Sequence, residues 1–348
     1  MATWKLRSEI VGDVVFFPYR DVDRGGASEI YVWDLDKTYL DTSWHTIGDL
    51  WRTVFEKSFQ KRNVPGTSTL VSSVKDNWQR TRGEAGEFPL FFITASPPQL
   101  EDKIREKLEI DEILPQGIFF KDNLRNVHPS RWRRLSQQVG YKIQALMQLR
   151  SKFSEDLTQV LWGDDSETDA TIYSLYSDIC SRRWDEDQLI KFLKHFNVTK
   201  EQINTILDLQ DQCPSHDPVE KVYINLAVDT DPEYYLKFGR RIVPTYNSFQ
   251  TSLDLFQDSR LQEAQVLKVA MDLMTNYGFT PDQLQQDLDD LVRRRILAQE
   301  TLERVLPVLQ ENQIISSDYT PSVTPGKVES QVGDRVFGVR GEMEPWIP

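Results

Sequence analysis

Two carboxylates, Asp34 and Asp36, come directly after the apolar run Ile30-Tyr31-Val32-Trp33 and lead into Lys37-Thr38. Positions i and i+2 of an extended segment face the same side, so the two acids can address one ligand together. Short acidic patterns also mark turns, so the pair gains meaning only from residues further along the chain. A second apolar run, Leu90-Phe91-Phe92-Ile93, ends in Thr94-Ala95-Ser96. There the Thr94 hydroxyl and the Ala95 amide can hydrogen-bond a phosphoryl oxygen. Lys142 is expected to open a helix over Tyr141–Phe153, where its ammonium joins the positive helix end in balancing phosphate charge. A further apolar run, Val160-Leu161-Trp162, delivers Gly163-Asp164-Asp165-Ser166-Glu167-Thr168-Asp169. Hard oxygen donors of that kind suit Mg²⁺, and nothing in the chain resembles a soft nitrogen or sulfur site.

The elements that must position these residues read as α/β. Strands are expected at Asp13–Phe17, Glu29–Trp33, Pro89–Ile93, Gly117–Phe120 and Gln159–Trp162. Helical spacing is found over Ile47–Gln60, Thr69–Arg80, Gln99–Leu108 and Tyr141–Phe153. This alternation predicts a parallel sheet covered by helices, with ligands at the carboxyl ends of the strands. Helices come next at Thr171–Cys180, Glu186–Phe196 and Thr199–Leu209, then a late strand at Lys221–Val228 and a helical stretch from Thr251 to about Gln310. Thr199 with Gln202 and Thr280 with Gln283 have the layout of capping boxes. The organisation expected is a core over 1–180, a helical insertion over 181–215, a late core strand and helix over 216–260, a helical region over 261–315, and a tail over 316–348 with little structure of its own.

The chain has 348 residues, 41 basic and 54 acidic side chains and a net charge of −13. No general attraction to nucleic acid arises from that balance, so an anionic substrate must be drawn in by a local site. Two cysteines, Cys180 and Cys213, and four scattered histidines lack zinc or redox spacing, and ordinary buried thiols are expected. With no apolar run long enough to span a bilayer and no signal-peptide layout at the start, the reading is a soluble, cytoplasmic protein. Arg293-Arg294-Arg295 reads as a solvated or acid-paired helix face. Oligomeric state is not legible.

In order and spacing, Asp34/Asp36, Thr94, Lys142 and Asp164 with Asp165 or Asp169 resemble the four motifs of the haloacid-dehalogenase superfamily. The resemblance implies a Rossmann-like core and a magnesium-dependent phosphatase. It further implies Asp34 as nucleophile forming an aspartyl-phosphate, Asp36 as proton donor and then base, and Mg²⁺ held by Asp34, the Asp36 carbonyl and Asp164. Asp165 or Asp169 is the additional acid of the metal loop, and Thr94, Ala95, Ser96 and Lys142 bind the phosphate. Dehalogenases lack an acid at the position of Asp36, so a phosphatase is implied, with phosphomutases as neighbours. More closely, Asp34-Leu35-Asp36-Lys37-Thr38, Thr94-Ala95-Ser96-Pro97 and the loop from Gly163 are similar to the family of the actin-patch phosphatidate phosphatase. The loop departs from that family at Asp165 and by the loss of a second glycine.

Neither Tyr39–Phe88 nor Lys121–Gly140 has room for a full cap domain. A capless or minimally capped site is therefore expected, open to a phosphate carried on something large, unless Glu186–Leu209 or Thr251–Gln310 folds over it. Arg125, Arg131, Arg133 and Arg134 could steer an anion or be plain surface charge. Two other readings stand beside a lipid phosphatase: a protein phosphatase of the same superfamily, and a non-catalytic module that recognises phosphate. Retention of both Asp34 and Asp36 speaks against the last, since recognition needs no proton donor.

Overall fold

The computed structural model describes residues 3–20, 27–41, 63–82, 87–122, 131–165, 168–239 and 241–323. Eight strands form one sheet: β1 (Glu9–Val11), β2 (Val14–Pro18), β3 (Glu29–Asp34), β4 (Leu90–Ile93), β5 (Gly117–Lys121), β6 (Thr158–Asp164), β7 (Val219–Asn225) and β8 (Ile242–Thr245). Their spatial order is β1-β2-β5-β4-β3-β6-β7-β8. The six strands from β5 to β8 run parallel, and the β1–β2 hairpin joins antiparallel at β5. The fold is therefore the α/β class expected, a mostly parallel sheet flanked by helices. The chain outside the sheet forms α1 (Thr67–Arg82), α2 (Glu101–Ile110), α3 (Arg131–Arg150), α4 (Asp169–Cys180), α5 (Glu186–His195), α6 (Lys200–Gln212), α7 (Ser248–Gln257), α8 (Glu263–Tyr277), α9 (Pro281–Arg293) and α10 (Gln299–Glu311).

Strands buried on both faces read as near-continuous apolar runs, and β2, β4 and the middles of β3, β5 and β6 do so. Val15, Phe17, Tyr31, Trp33, Phe92, Phe120, Trp162 and Val243 point to one side, into a core completed by α1, α2 and α7 to α10. The residues between them, among them Phe16, Ile30, Val32, Phe91, Phe119, Leu161 and Ile224, point to the other side, against α3 to α6. Thus the helices at 186–212 and 248–311 lie on opposite faces of one sheet. Capping boxes start α5, α6 and α9, those at Thr199 and Thr280 as the spacing predicts. Cys180 and Cys213 are free and buried, with burial pushing the Cys213 thiol up to about 11.

Several boundaries differ from the reading of the sequence. Two strands were not expected, β1 and β8; they are short, and β8 contains Pro244, which cannot donate to a ladder. The long C-terminal stretch is four helices beginning at Ser248. Helix α3 begins at Arg131, ten residues before the expected start, and runs straight through Gly140. A side chain there would meet Gln202, whose Cδ would lie 2.6 Å from an added Cβ; Gln202 Nε2 in turn donates to buried Asp13 at 2.9 Å. Gly140 therefore marks a close helix contact and not a helix end. The start of the tail is tied down: Tyr319 Oη and the Ser322 amide both donate to Asp289, at 3.0 and 2.8 Å. The expected helix at Ile47–Gln60, Arg125 and the tail beyond Val323 lie outside the described residues.

Candidate active site

The central strand β3 ends on Asp34, with Ile93 of β4 beside it and the end of β6 on its other flank. Connections from β3 to β5 cross the face covered by α1 and α2, and the connection from β5 to β6 crosses the opposite face through α3. Such a switch point leaves a crevice at the carboxyl ends of the strands, where open α/β sheets bind ligands. Beneath it Trp33 and Trp162 stack at 4.4 Å, and Trp162 stacks on Tyr223 at 5.1 Å, so the loops beyond the strand ends leave the sheet from a rigid floor.

Oxygen atoms of Asp34, Asp164 and Asp169, all buried, lie within 4.8 Å of one another. Lys142 Nζ sits between two of them, 3.0 Å from Asp34 Oδ1 and 2.6 Å from Asp169 Oδ1. Asp169 Oδ2 accepts the Asp164 amide at 3.1 Å, so one carboxylate fixes both the lysine and the metal loop. Gly163 makes this approach feasible, because a Cβ there would fall 2.4 Å from Asp169 Oδ2 and 2.5 Å from Asp169 Cβ. Thr168, at φ 65°, turns the chain into α4 and sets Asp169 at the first helical position.

Asp36 stands at the rim of this cluster. Leu35 continues the ladder by donating to the Ile93 carbonyl at 2.9 Å, and the chain then folds back so that the Leu40 amide reaches the Leu35 carbonyl at 2.8 Å. Lys37, at φ 61°, makes that reversal. Thr94 Oγ1 donates to Asp36 Oδ2 at 2.7 Å and accepts the Ser96 amide at 3.0 Å. The expected phosphate donor thus orients the second acid in this state. Ser96 is buried, and Ala95 lies between it and Thr94 at the mouth.

Two expectations are corrected. Lys142 lies in the interior of α3, so the positive end of a helix does not assist it; its ammonium lies against Asp34 and Asp169 instead. Asp165 turns away from the three gathered acids: its Oδ2 accepts the Ala227 amide at 2.7 Å and bonds the Thr230 hydroxyl. Of the two acids left open in the sequence, Asp169 joins the cluster. Ser166 and Glu167 lie outside the described residues, and of the side chains of Arg131, Arg133 and Arg134, in the first turns of α3, nothing is described.

The sequence reading missed the supports. Tyr141 Oη donates to the Thr94 carbonyl at 2.7 Å, and Tyr173 Oη donates to the Trp162 carbonyl at 2.8 Å. Burial, followed by Asp13 for Tyr141 and Asp169 for Tyr173, pushes both phenols well above their ordinary range, so each stays a neutral donor. The available signal was adjacency, since Tyr141 precedes Lys142 and Tyr173 lies one helical turn after Asp169.

A metal is compatible with this donor set. Oxygens of three buried carboxylates gather within 4.8 Å of one another beside the Lys142 ammonium, and like charges held that close in a buried place favour a bound cation. All donors are hard oxygens, which fits a divalent ion of the magnesium or calcium kind. No curated protein and no solved structure matches the chain. Residues 30–190, the segment that holds every candidate residue from Asp34 to Asp169, match the family described as phosphatidate phosphatase APP1, catalytic domain, and over that segment the resemblance read from the sequence is shown.

Proposed function

We propose that the chain is a phosphomonoester hydrolase of the haloacid-dehalogenase type, acting on phosphatidate or another large phosphorylated substrate. The observation that carries this is the convergence of Asp34, Asp164, Asp169 and Lys142 at one switch point, beside an Asp36 oriented by Thr94. In this reading the Asp34 carboxylate attacks phosphorus and the ester P–O bond breaks. Asp36 gives its proton to the departing oxygen, leaving an acyl phosphate on Asp34. Asp36 then takes a proton from water as it attacks that phosphate, releasing inorganic phosphate and restoring both acids. Lys142 holds the nucleophile in place and offsets charge, and Thr94 aims Asp36. Asp34, Asp164 and the Asp36 carbonyl would hold a Mg²⁺ ion, with Asp169 as the additional acid of the metal loop, and the ion would supply charge neutralisation for a phosphate approaching a carboxylate.

Substrate size is set by access. Only residues 122–130 separate β5 from α3, too few for a cap domain at that position. A phosphate borne on a lipid agrees with the family description matched over residues 30–190. The test is direct. Purified protein should release phosphate from an aryl phosphate in the presence of Mg²⁺, and Asp34→Asn should abolish the release. Unchanged activity in that variant would remove the assignment, and comparing phosphatidate with a phosphopeptide separates a lipid from a protein substrate.

A further inference from the structure

Asp165 is the position at which the metal loop departs from the family pattern, and it stays out of the cluster of acids. Its bonds show what it does instead. Its amide donates to the Asn225 carbonyl at 3.2 Å, which carries the β6–β7 ladder one residue past the pair Asp164 and Asn225. Its Oδ2 accepts the Ala227 amide at 2.7 Å and also the Thr230 hydroxyl. Main chain and side chain of this residue are therefore both tied to the segment that leaves β7.

That segment is shaped to receive a carboxylate. The Thr230 amide donates to the Ala227 carbonyl at 3.0 Å and closes the turn Ala227–Thr230, while Tyr246 Oη donates to the Thr230 carbonyl at 3.1 Å. The amide that opens the turn and the hydroxyl that ends it thus meet on a single oxygen of Asp165. Bonds to an ionised carboxylate are stronger than neutral ones, so the turn and the acid fix each other.

The consequence reaches the neighbouring residue. Successive residues of an extended segment face opposite sides, so a side chain of Asp165 seated on the turn directs that of Asp164 the other way. Asp164 is one of the three buried acids that gather, and its amide is fixed by Asp169 Oδ2 at 3.1 Å. The peptide that follows it is fixed in turn through the Asp165 amide. Asn225 Nδ2 also reaches the Lys37 carbonyl at 3.4 Å, so the end of β7 supports the loop of Asp36 as well as the metal loop.

We propose that Asp165 is a positioning residue for metal binding: with Oδ2 seated in the Ala227–Thr230 turn, it holds Asp164 facing Asp34 and Asp169 and does not itself coordinate the ion. The use of this brace rests on the metal-dependent phosphatase reading, but binding of Mg²⁺ alone to the full chain, followed by calorimetry, tests it without turnover. Asp165→Ala empties the turn and should weaken Mg²⁺ binding at least about tenfold, the usual effect of losing a group that orients a ligand. Asp165→Asn separates positioning from coordination. Both donors use one oxygen, which the amide keeps, while the other oxygen becomes an NH₂ that cannot ligate a metal. Affinity in that variant should stay within about threefold of wild type, the bonds being weaker but present.

Thr230→Val leaves every acid in place and should cost about threefold in Mg²⁺ affinity, the worth of one hydrogen bond. Combined with Asp165→Ala it should cost nothing further, because the bond is already gone. Wild-type affinity in Asp165→Ala or Thr230→Val overturns the proposal, as does an Asp165→Asn loss equal to that of alanine, which would make the carboxylate a ligand. Wild-type protein that binds no Mg²⁺ overturns it too. Variants ranked as stated, with no release of phosphate from an aryl phosphate by the wild type, would leave the brace standing and remove the catalytic reading.

Discussion

Gly163→Ala is the sharpest probe of the candidate site, because it adds one methyl group and removes none of the charged groups. The added carbon would lie 2.4 Å from Asp169 Oδ2, 2.5 Å from Asp169 Cβ and 2.8 Å from Asp169 Cγ. Ordinary contacts need about 3.5 Å or more, so Asp169 must retreat by about 1 Å. Rotating its side chain does not suffice, since Cβ itself is in the way and Asp169 is fixed in the first turn of α4. Two bonds then lengthen together, the 2.6 Å contact with Lys142 and the 3.1 Å bond from the Asp164 amide. Overpacking of this kind costs about 1–3 kcal/mol of stability. Displacing positioning groups by about 1 Å costs on the order of a hundredfold in rate. Aryl-phosphate turnover, thermal unfolding and Mg²⁺ titration on the same preparation give all three readouts. A variant with wild-type turnover and Mg²⁺ dependence would refute both roles given to Asp169, fixing Lys142 and shaping the metal loop.

Further outcomes concern the supports and the buried acids. Tyr141→Phe removes the bond to the Thr94 carbonyl and should cost about 1 kcal/mol in stability. It should also lower turnover about fivefold without altering the Mg²⁺ titration; a shift in that titration would contradict a role confined to Thr94. Lys221→Met strips the cation from Asp254, which it bonds at 2.7 Å, and from Asp258, whose carboxyl burial already pushes up. The loss should be about 3–5 kcal/mol in denaturant unfolding, and little change would mean that these acids are solvated. Asp287 is raised from 3.8 to about 6 by burial, the Asn247 bond opposing and Asp290 adding to the shift. The folded state therefore holds this proton more tightly than the unfolded chain, and stability falls as pH rises from about 4 to about 6. Asp287→Asn should accordingly match wild type near pH 3 and exceed it by about 3 kcal/mol above pH 7; equal stability at both ends would refute the shift.

Strand ends were legible because apolar runs flanked by acids or hydroxyls are a local signal, and Asp34, Thr94 and Asp164 all stand where such runs stop. Lys142 was found by type and order, but its setting was misjudged because the helix was expected to start at Tyr141, whereas it starts at Arg131 and runs on through Gly140 beside Gln202. Asp165 and Asp169 could not be told apart along the chain, since the choice depends on Gly163 admitting one and on the Ala227 amide drawing away the other. The tyrosine supports act through main-chain carbonyls 47 and 11 residues away, so the chain offers only their adjacency to Lys142 and Asp169 as a sign. Strands β1 and β8, three and four residues long, carry too few positions for a period to show.

Those two short strands also govern how the molecule behaves in a crowded solution. A broad sheet with long open margins would invite a second copy to add its own strand, the first step toward aggregation. Here one margin ends after three residues, and the other contains Pro244, which has no amide proton and whose carbonyl accepts Arg294 Nη1 at 2.9 Å. Little unpaired backbone is left at either border for a neighbour to copy, so the sheet can be wide without being adhesive.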